Sequence, residues 1–386
     1  MRFNPPGLER RSSAARWIAA AMATTLAGLV LVYHASASSA AASKTTAAKI
    51  STTAGVATAK KDLKPYLTAP TKINVTTPLK VPAPKGKFII FLGTTQTQNV
   101  VGQHAVNAAA KALGWKYALV SYDPANPATF KSALSTAISE HPNYIMEAGL
   151  PPSLITPDTA QLKAAGIKVV TVASYPGIQN KTIVYNTDGI QNVERSGKID
   201  AWWIIAHSQG TANVLVVHVP EYAVLDGFTL GFHKEMSALC PKCVEQTQDI
   251  TLSQLAAGQT NTLVTNALQR DSAAQYLAYD DAPWADGITQ ALSTAGLQKV
   301  LVTGEGADVD AVAALQAGTE AGWTAFNTQY AYYEGVDALI RATEGIPIPA
   351  SDSFDPTEML TKSNSAKAAA WGVPNELQQF VRLWKK

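Results

Sequence analysis

The sequence predicts an α/β protein built as two doubly wound parallel-sheet lobes. Three observations carry this reading. From Lys87 onward, short apolar runs alternate with Ala-rich helical stretches to the end of the chain. The runs are apolar throughout rather than at every second residue, the pattern of strands buried on both faces. Strand and helix follow one another at short, regular spacing, as in successive βαβ units. About ten parallel strands are expected, which suits two lobes of five or six strands better than one sheet.

The 386 residues include 31 Lys and Arg against 29 Asp and Glu, a formal charge of +2. With 47% hydrophobic residues and 16% charged, the chain is too apolar and too weakly charged for a disordered protein. It lacks the basic excess of a nucleic-acid binder. Two Cys exclude a disulfide-dense miniprotein.

The N-terminus is expected to be an export signal. Arg2, Arg10, Arg11 and Arg16 precede the uncharged run Trp17 to Tyr33, and Ala35-Ser36-Ala37 offers a small-residue cleavage site. The alternative is an uncleaved membrane anchor, since the run is just long enough to span. No Cys stands near the cleavage site for lipid attachment. Cleavage near Ala37 removes four of the 31 basic and one of the 29 acidic residues, leaving 27 against 28, about −1. The protein is therefore expected outside the cytoplasm, secreted or associated with the cell surface.

A Ser/Thr/Ala/Lys tract follows to about Lys61, with few large apolar residues, and reads as a flexible tether. Pro70, Pro78, Pro82 and Pro84 then hold an extended strap along the first lobe. In the body, KFIIFLG, YALVSYD, YIMEAG and IKVVTVAS are strands separated by helices that stop at residues such as Gly114 and Gly166. ERSGKIDAWWIIAHSQG is helical. ANVLVVHVP, VEQTQDI, AQYLAYDD, KVLVTGEG and WTAFNTQ are the later strands, again with helices between them.

These segments, with the signal, resemble the type I periplasmic substrate-binding proteins of the ribose-binding-protein-like group. The resemblance covers about Lys87 to Lys386. KAAGIKVVTVAS is similar to the strand closing the first lobe. YLAYDDAPWADGITQAL and VLVTGEGADVDAVAAL are similar to the ligand-bearing strand ends of the second lobe. FNTQYAYYEGVDALI is similar to the return strand and helix. The residues put a signal in 1–40 and the tether and strap in 41–85. The resemblance implies an N-terminal lobe in 86–188 plus about 330–350, and a C-terminal lobe and tail in 189–329 plus about 351–386. Three hinge crossovers are implied, near Asn186–Ile190, near Gln329 and after Ile346.

It also implies a cleft between the lobes that holds a small molecule. Gln96, Gln98 and Asn99 stand after the first strand, where sugar binders carry an Asn and two stacking aromatics. Tyr175 follows the fourth strand. Tyr222 and Asp226 follow ANVLVVHVP, where a clamping Arg is frequent. Asp281 takes the place of the second-lobe Asn or Asp, and Trp284 follows it. Glu305 stands where the family has Asp, and Gln329 matches the Gln near the hinge. No Arg occupies any of these positions. That disfavours a carboxylate or phosphate ligand and leaves a neutral polyol or a cationic amine.

Three motifs invite other readings. Ala206-His207-Ser208-Gln209-Gly210 looks like a nucleophile elbow, but that motif needs strand then helix, and here the order is reversed. A helix end stopped by Gly210 explains it. Cys240-Pro241-Lys242-Cys243 is read as a local disulfide, with free thiols or a metal site as alternatives. Gly304-Glu305-Gly306 lacks the remainder of a phosphate-binding fingerprint. The expected function is non-enzymatic: a monomer with no cofactor, no metal and no nucleic acid, which captures a sugar or related molecule for the permease of an ATP-binding-cassette importer. The alternatives are a ligand-sensing domain that presents to a receptor and a secreted hydrolase using Ser208.

Overall fold

A computed structural model describes residues 50–386 apart from 125, 349–353, 366–370 and 386. The expected signal in 1–40 lies outside the described residues. After helix α1 (Thr52–Leu63), the first lobe runs β1 (Phe88–Gly93), α2 (Thr97–Leu113), β2 (Lys116–Ser121), α3 (Pro127–Ser139), β3 (Tyr144–Ala148), α4 (Thr159–Ala164), β4 (Lys168–Val172) and β5 (Ile183–Thr187). The second lobe continues with α5 (Ile190–His207), β6 (Asn213–His218), α6 (Asp226–Leu239), β7 (Val244–Asp249), α7 (Leu252–Ala256) and α8 (Thr260–Arg270). It is completed by β8 (Tyr276–Tyr279), α9 (Ile288–Thr294), β9 (Leu301–Gly304), α10 (Val309–Ala317) and β10 (Gly322–Phe326). The chain ends with α11 (Thr328–Glu344), β11 (Thr357–Thr361), α12 (Lys362–Ser365) and α13 (Glu376–Trp384).

The first sheet has five parallel strands in the order β2-β1-β3-β4-β5, and the second has four in the order β7-β6-β8-β9. Both are wound outward from a central strand, with helices on their faces. Strand β1 shows why its run is wholly apolar. Ile89 and Phe91 pack on one side with Ala105 of α2, Val336 of α11 and Trp384 of α13. Ile90 and Leu92 pack on the other with Phe130 of α3 and Leu162 of α4. Successive side chains face opposite ways, so covering both faces with helices demands apolar residues at every position.

Four features depart from the sequence reading. The tract expected as a flexible tether contains α1, capped by the Ser51 hydroxyl, which accepts from Ala54 N at 3.3 Å. Its Val56, Ala59 and Leu63 fall at helical spacing and bury in the second-lobe core. Gly55 lets α1 approach α6 closely: a Cβ there would meet Leu239 O at 1.8 Å. Second, 183–187 is a strand (β5), although the reading of the sequence assigned none there. Third, β10 is not a parallel strand of the sheet but pairs antiparallel with β11. Fourth, the tail expected on the second lobe returns to the first, where Phe380 and Trp384 of α13 join its core.

The strap, by contrast, lies along the first lobe as the prolines suggest. Leu79 N donates to Leu383 O at 3.0 Å and Ala83 N to Trp384 O at 2.9 Å. Buried Arg341 of α11 donates through Nε to Asp337 at 2.5 Å and also to Thr77 O of the strap, while Trp384 Nε1 donates to the same carboxylate at 2.9 Å. One ion pair thus joins strap, α11 and α13. The chain passes between the lobes at 188–189 and at Asn327, and α11, β11 and α13 then pack in the first, second and first lobes in turn. With the link from α1 to the strap, the hinge has more connections than the three expected.

Candidate functional site

In parallel α/β sheets the strand carboxyl ends carry the loops that bind ligands. Here the loops after β1, β3, β4 and β5 of one lobe face those after β6, β8 and β9 of the other. Between them lies a cavity of about 330 Å³. Gln96, Gln98 and Asn99 line it from the first lobe, and Tyr222, Asp281, Trp284 and Glu305 from the second.

The lobes are bridged across this cavity. Gln96 Nε2 donates to the Tyr222 hydroxyl. Gln98 reaches Asp281 with its side-chain amide, and its Oε1 accepts from Thr328 Oγ1 at 2.8 Å. Tyr332 of α11 donates its hydroxyl to the Gln98 carbonyl at 3.2 Å. Asn99 serves the loop itself, since its Oδ1 accepts from Thr94 N at 3.3 Å. Gln96 is the N-cap residue of α2 and extended, so the turn into the helix aims both glutamines at the opposite lobe.

Glu305 owes its place to Gly304, which has φ +152° and sits against Tyr279, where a Cβ would meet the carbonyl oxygen at 2.2 Å. The Tyr222 and Trp284 rings lie parallel, 5° apart in orientation with centroids separated by 6.0 Å. Trp284 Nε1 and Glu305 Oε2 are buried without a hydrogen-bond partner.

The electrostatics are one-sided. None of the described lining residues is Lys, Arg or His, while Asp188, Asp281, Asp286 and Glu305 are all present. Burial pushes the Asp281 and Glu305 carboxyls well above the usual range, and neighbouring acids push them further. Asp188 is raised by burial too, and Arg195 opposes this. Arg195 itself is turned away to Asp355 O at 2.5 Å, Asn192 Oδ1 at 3.1 Å and Thr357 Oγ1 at 3.3 Å. Behind the first-lobe wall, Glu147 accepts from Ser174 Oγ at 3.1 Å and is raised by burial to about 8.

Three expected residues do not line the cavity. Tyr175 is exposed and borders a separate hollow of about 390 Å³ beside the hinge. Asp226 opens α6 with its carboxylate 3.2 Å from His218 Nε2. Gln329, in the first turn of α11, accepts from Tyr333 at 3.0 Å, and its neighbour Thr328 faces the cavity instead. Conversely, Asp188, Thr328 and Tyr332 line the cavity although the sequence reading did not name them. Asp188 stands within the crossover read at 186–190, and it has φ +47°. A lone carboxylate at that crossover was the signal for it.

The other motifs resolve locally. Ser208 ends α5 and its hydroxyl accepts from Gly210 N at 3.2 Å and Thr211 N at 3.3 Å, so it closes a helix end. Adjacent His207 is engaged with the Tyr276 hydroxyl at 2.8 Å. Cys240 and Cys243 are bonded as a disulfide, with Cα atoms 5.3 Å apart. Among the described residues no group of His, Cys, Asp and Glu is arranged to hold a metal ion, and no helix is long and apolar enough to cross a membrane.

The family profile described as a periplasmic binding protein domain matches residues 91–347, well over half of the chain. The chain belongs to this family. Its architecture is the two-lobe type I fold of these binding proteins. A sugar transporter subunit from Rhodobacter sphaeroides is similar in structure, with a TM-score of 0.63, 20% identity, and coverage of 72% of this chain and 99% of that one. A solute-binding protein from Actinobacillus succinogenes with bound D-allose gives 0.62 at 15% identity, covering 73% and 99%. One from Agrobacterium vitis with bound α-D-tagatopyranose gives 0.62 at 20% identity, covering 73% and 97%. No curated protein matches the chain. The fold accounts for the position of the cavity at facing strand ends.

Proposed function

We propose that the protein is an extracytoplasmic solute-binding protein that captures a small polar molecule, a sugar or related compound, between its lobes and delivers it to the permease of an ATP-binding-cassette importer. The observation that carries this reading is the pair of interlobe bridges, Gln96 to Tyr222 and Gln98 to Asp281, spanning a cavity of monosaccharide scale. Closure works by differential affinity: a ligand that touches both lobes favours the closed form over the open one. The sugars bound to similar structures, the oxidised Cys240–Cys243 pair and the signal-like N-terminus support the same reading.

Thermal unfolding against a panel of sugars, polyols, amines and amino acids tests it. A ligand at a hundred times its dissociation constant adds about 2.7 kcal/mol, visible as a midpoint raised by several degrees. A response confined to one chemical class is the expected result, with no turnover of the compound. A midpoint unmoved by every class would contradict capture of a small polar solute.

A further inference from the structure

The cavity collects more carboxyl groups than a neutral ligand requires. Asp188, Asp281 and Glu305 converge on it, and none of the described lining residues carries a positive charge. Glu305 is only 4% exposed, and its Oε2 has no partner. Burying a carboxylate without a counter-charge is costly, and placing others beside it raises that cost. A paired alternative was available in the chain: Arg195 lies within the electrostatic reach of Asp188, yet hydrogen-bonds to Asn192, Asp355 and Thr357 instead. The Tyr222–Trp284 pair adds an aromatic surface, which attracts cations through the ring faces. Trp284, in the same wall, has its Nε1 buried without a hydrogen-bond partner.

We propose that the captured molecule is a small hydroxylated amine, with its ammonium group at Glu305 and Asp281 and a hydroxyl oxygen at Trp284. This rests on the capture reading above and narrows it. The ammonium supplies three donors and a positive charge that draws these carboxyls into their ionised, acceptor-only form. Anionic solutes are excluded by the same wall of carboxyls.

Matched pairs test the proposal: D-glucosamine against D-glucose, and 2-amino-1,3-propanediol against glycerol, each by thermal unfolding and calorimetric titration at pH 7. The amine of at least one pair is expected to raise the midpoint by several degrees while its neutral partner does not. Glu305→Gln, close to isosteric, is expected to weaken amine binding at least tenfold, and Asp281→Asn serves as the second variant should the first fail to fold. Equal responses within a pair, or a response to the neutral member alone that survives Glu305→Gln, would overturn the cation while leaving capture standing. No response to any member would overturn the proposal, and capture itself falls if the wider panel is silent too.

Discussion

Asp280 and Asp281 are neighbours at the end of one strand, yet they sit in different environments. Asp280 points into the second lobe and is fully buried, and its Oδ2 accepts from Val219 N at 2.9 Å and lies 2.8 Å from His218 Nδ1. Burial opposes a charged imidazole at His218, but Asp280, Asp226 and Asp249 outweigh it and raise the His218 pKa. Asp281 points into the cavity, where it meets an amide from the opposite lobe and other acids. Asp337 in the first lobe is of the Asp280 kind, held by Arg341 and Trp384. Asp280 and Asp337 have cationic partners and hold the scaffold, and Asp281, which has none, faces the cavity.

The sharpest break of this contrast is at the scaffold pair. Arg341→Leu strands the Asp337 carboxylate in the first-lobe core, and urea unfolding should show a loss of about 3–5 kcal/mol. A loss below about 1 kcal/mol would mean that the pair contributes little beyond its packing.

The pH dependence of the ligand-free protein tests the unpaired set as a whole. Glu147 is raised from 4.5 to about 8, and Asp281 and Glu305 are raised in the same direction. In that window the folded protein holds protons that the unfolded chain has released. Stability should therefore fall as the pH rises from about 5 to about 8, by about 3 kcal/mol or more. Denaturant midpoints at the two ends check it, and a rise instead would show these carboxyls to be charged and compensated.

Gln96→Ala removes one bridge between the lobes and touches neither kind of carboxyl. Ligand affinity should drop about tenfold, close to 1.4 kcal/mol, with the unfolding midpoint of the free protein nearly unchanged. The smallest effect is expected at Ser208→Ala, which loses a helix-end bond worth about 1 kcal/mol or less and leaves ligand binding intact.

The two-lobe architecture was legible because parallel strands covered on both faces leave an unbroken apolar run, as in FIIFLG and NVLVV. Strand β5, IVYNT, is half polar and lies inside the hinge, so it lacks that mark. Helix α1 was hidden by its Ser/Thr/Ala composition, because its apolar stripe is only Val56, Ala59 and Leu63 and it depends on the second lobe to bury it. The antiparallel pairing of β10 depends on β11, which is about thirty residues away and carries no local signal. In the site, Gln96, Asp281 and Glu305 came from the family resemblance, and all three line the cavity at strand ends. The orientation of α11 did not follow from the resemblance, and a shift of one position separates Gln329 from the cavity-facing Thr328.

The most direct test of the division between the two carboxyl kinds is a side-by-side unfolding measurement of Asp280→Asn and Asp281→Asn in the ligand-free protein at pH 7. Asp280→Asn should destabilise by about 1–2 kcal/mol, because a charge-assisted bond to His218 is lost. Asp281→Asn should leave stability unchanged or raise it by about 1 kcal/mol, because an uncompensated acid is removed from the cavity wall. Equal losses in both variants would contradict the account, since they would make the Asp281 carboxyl as much a part of the scaffold as that of Asp280.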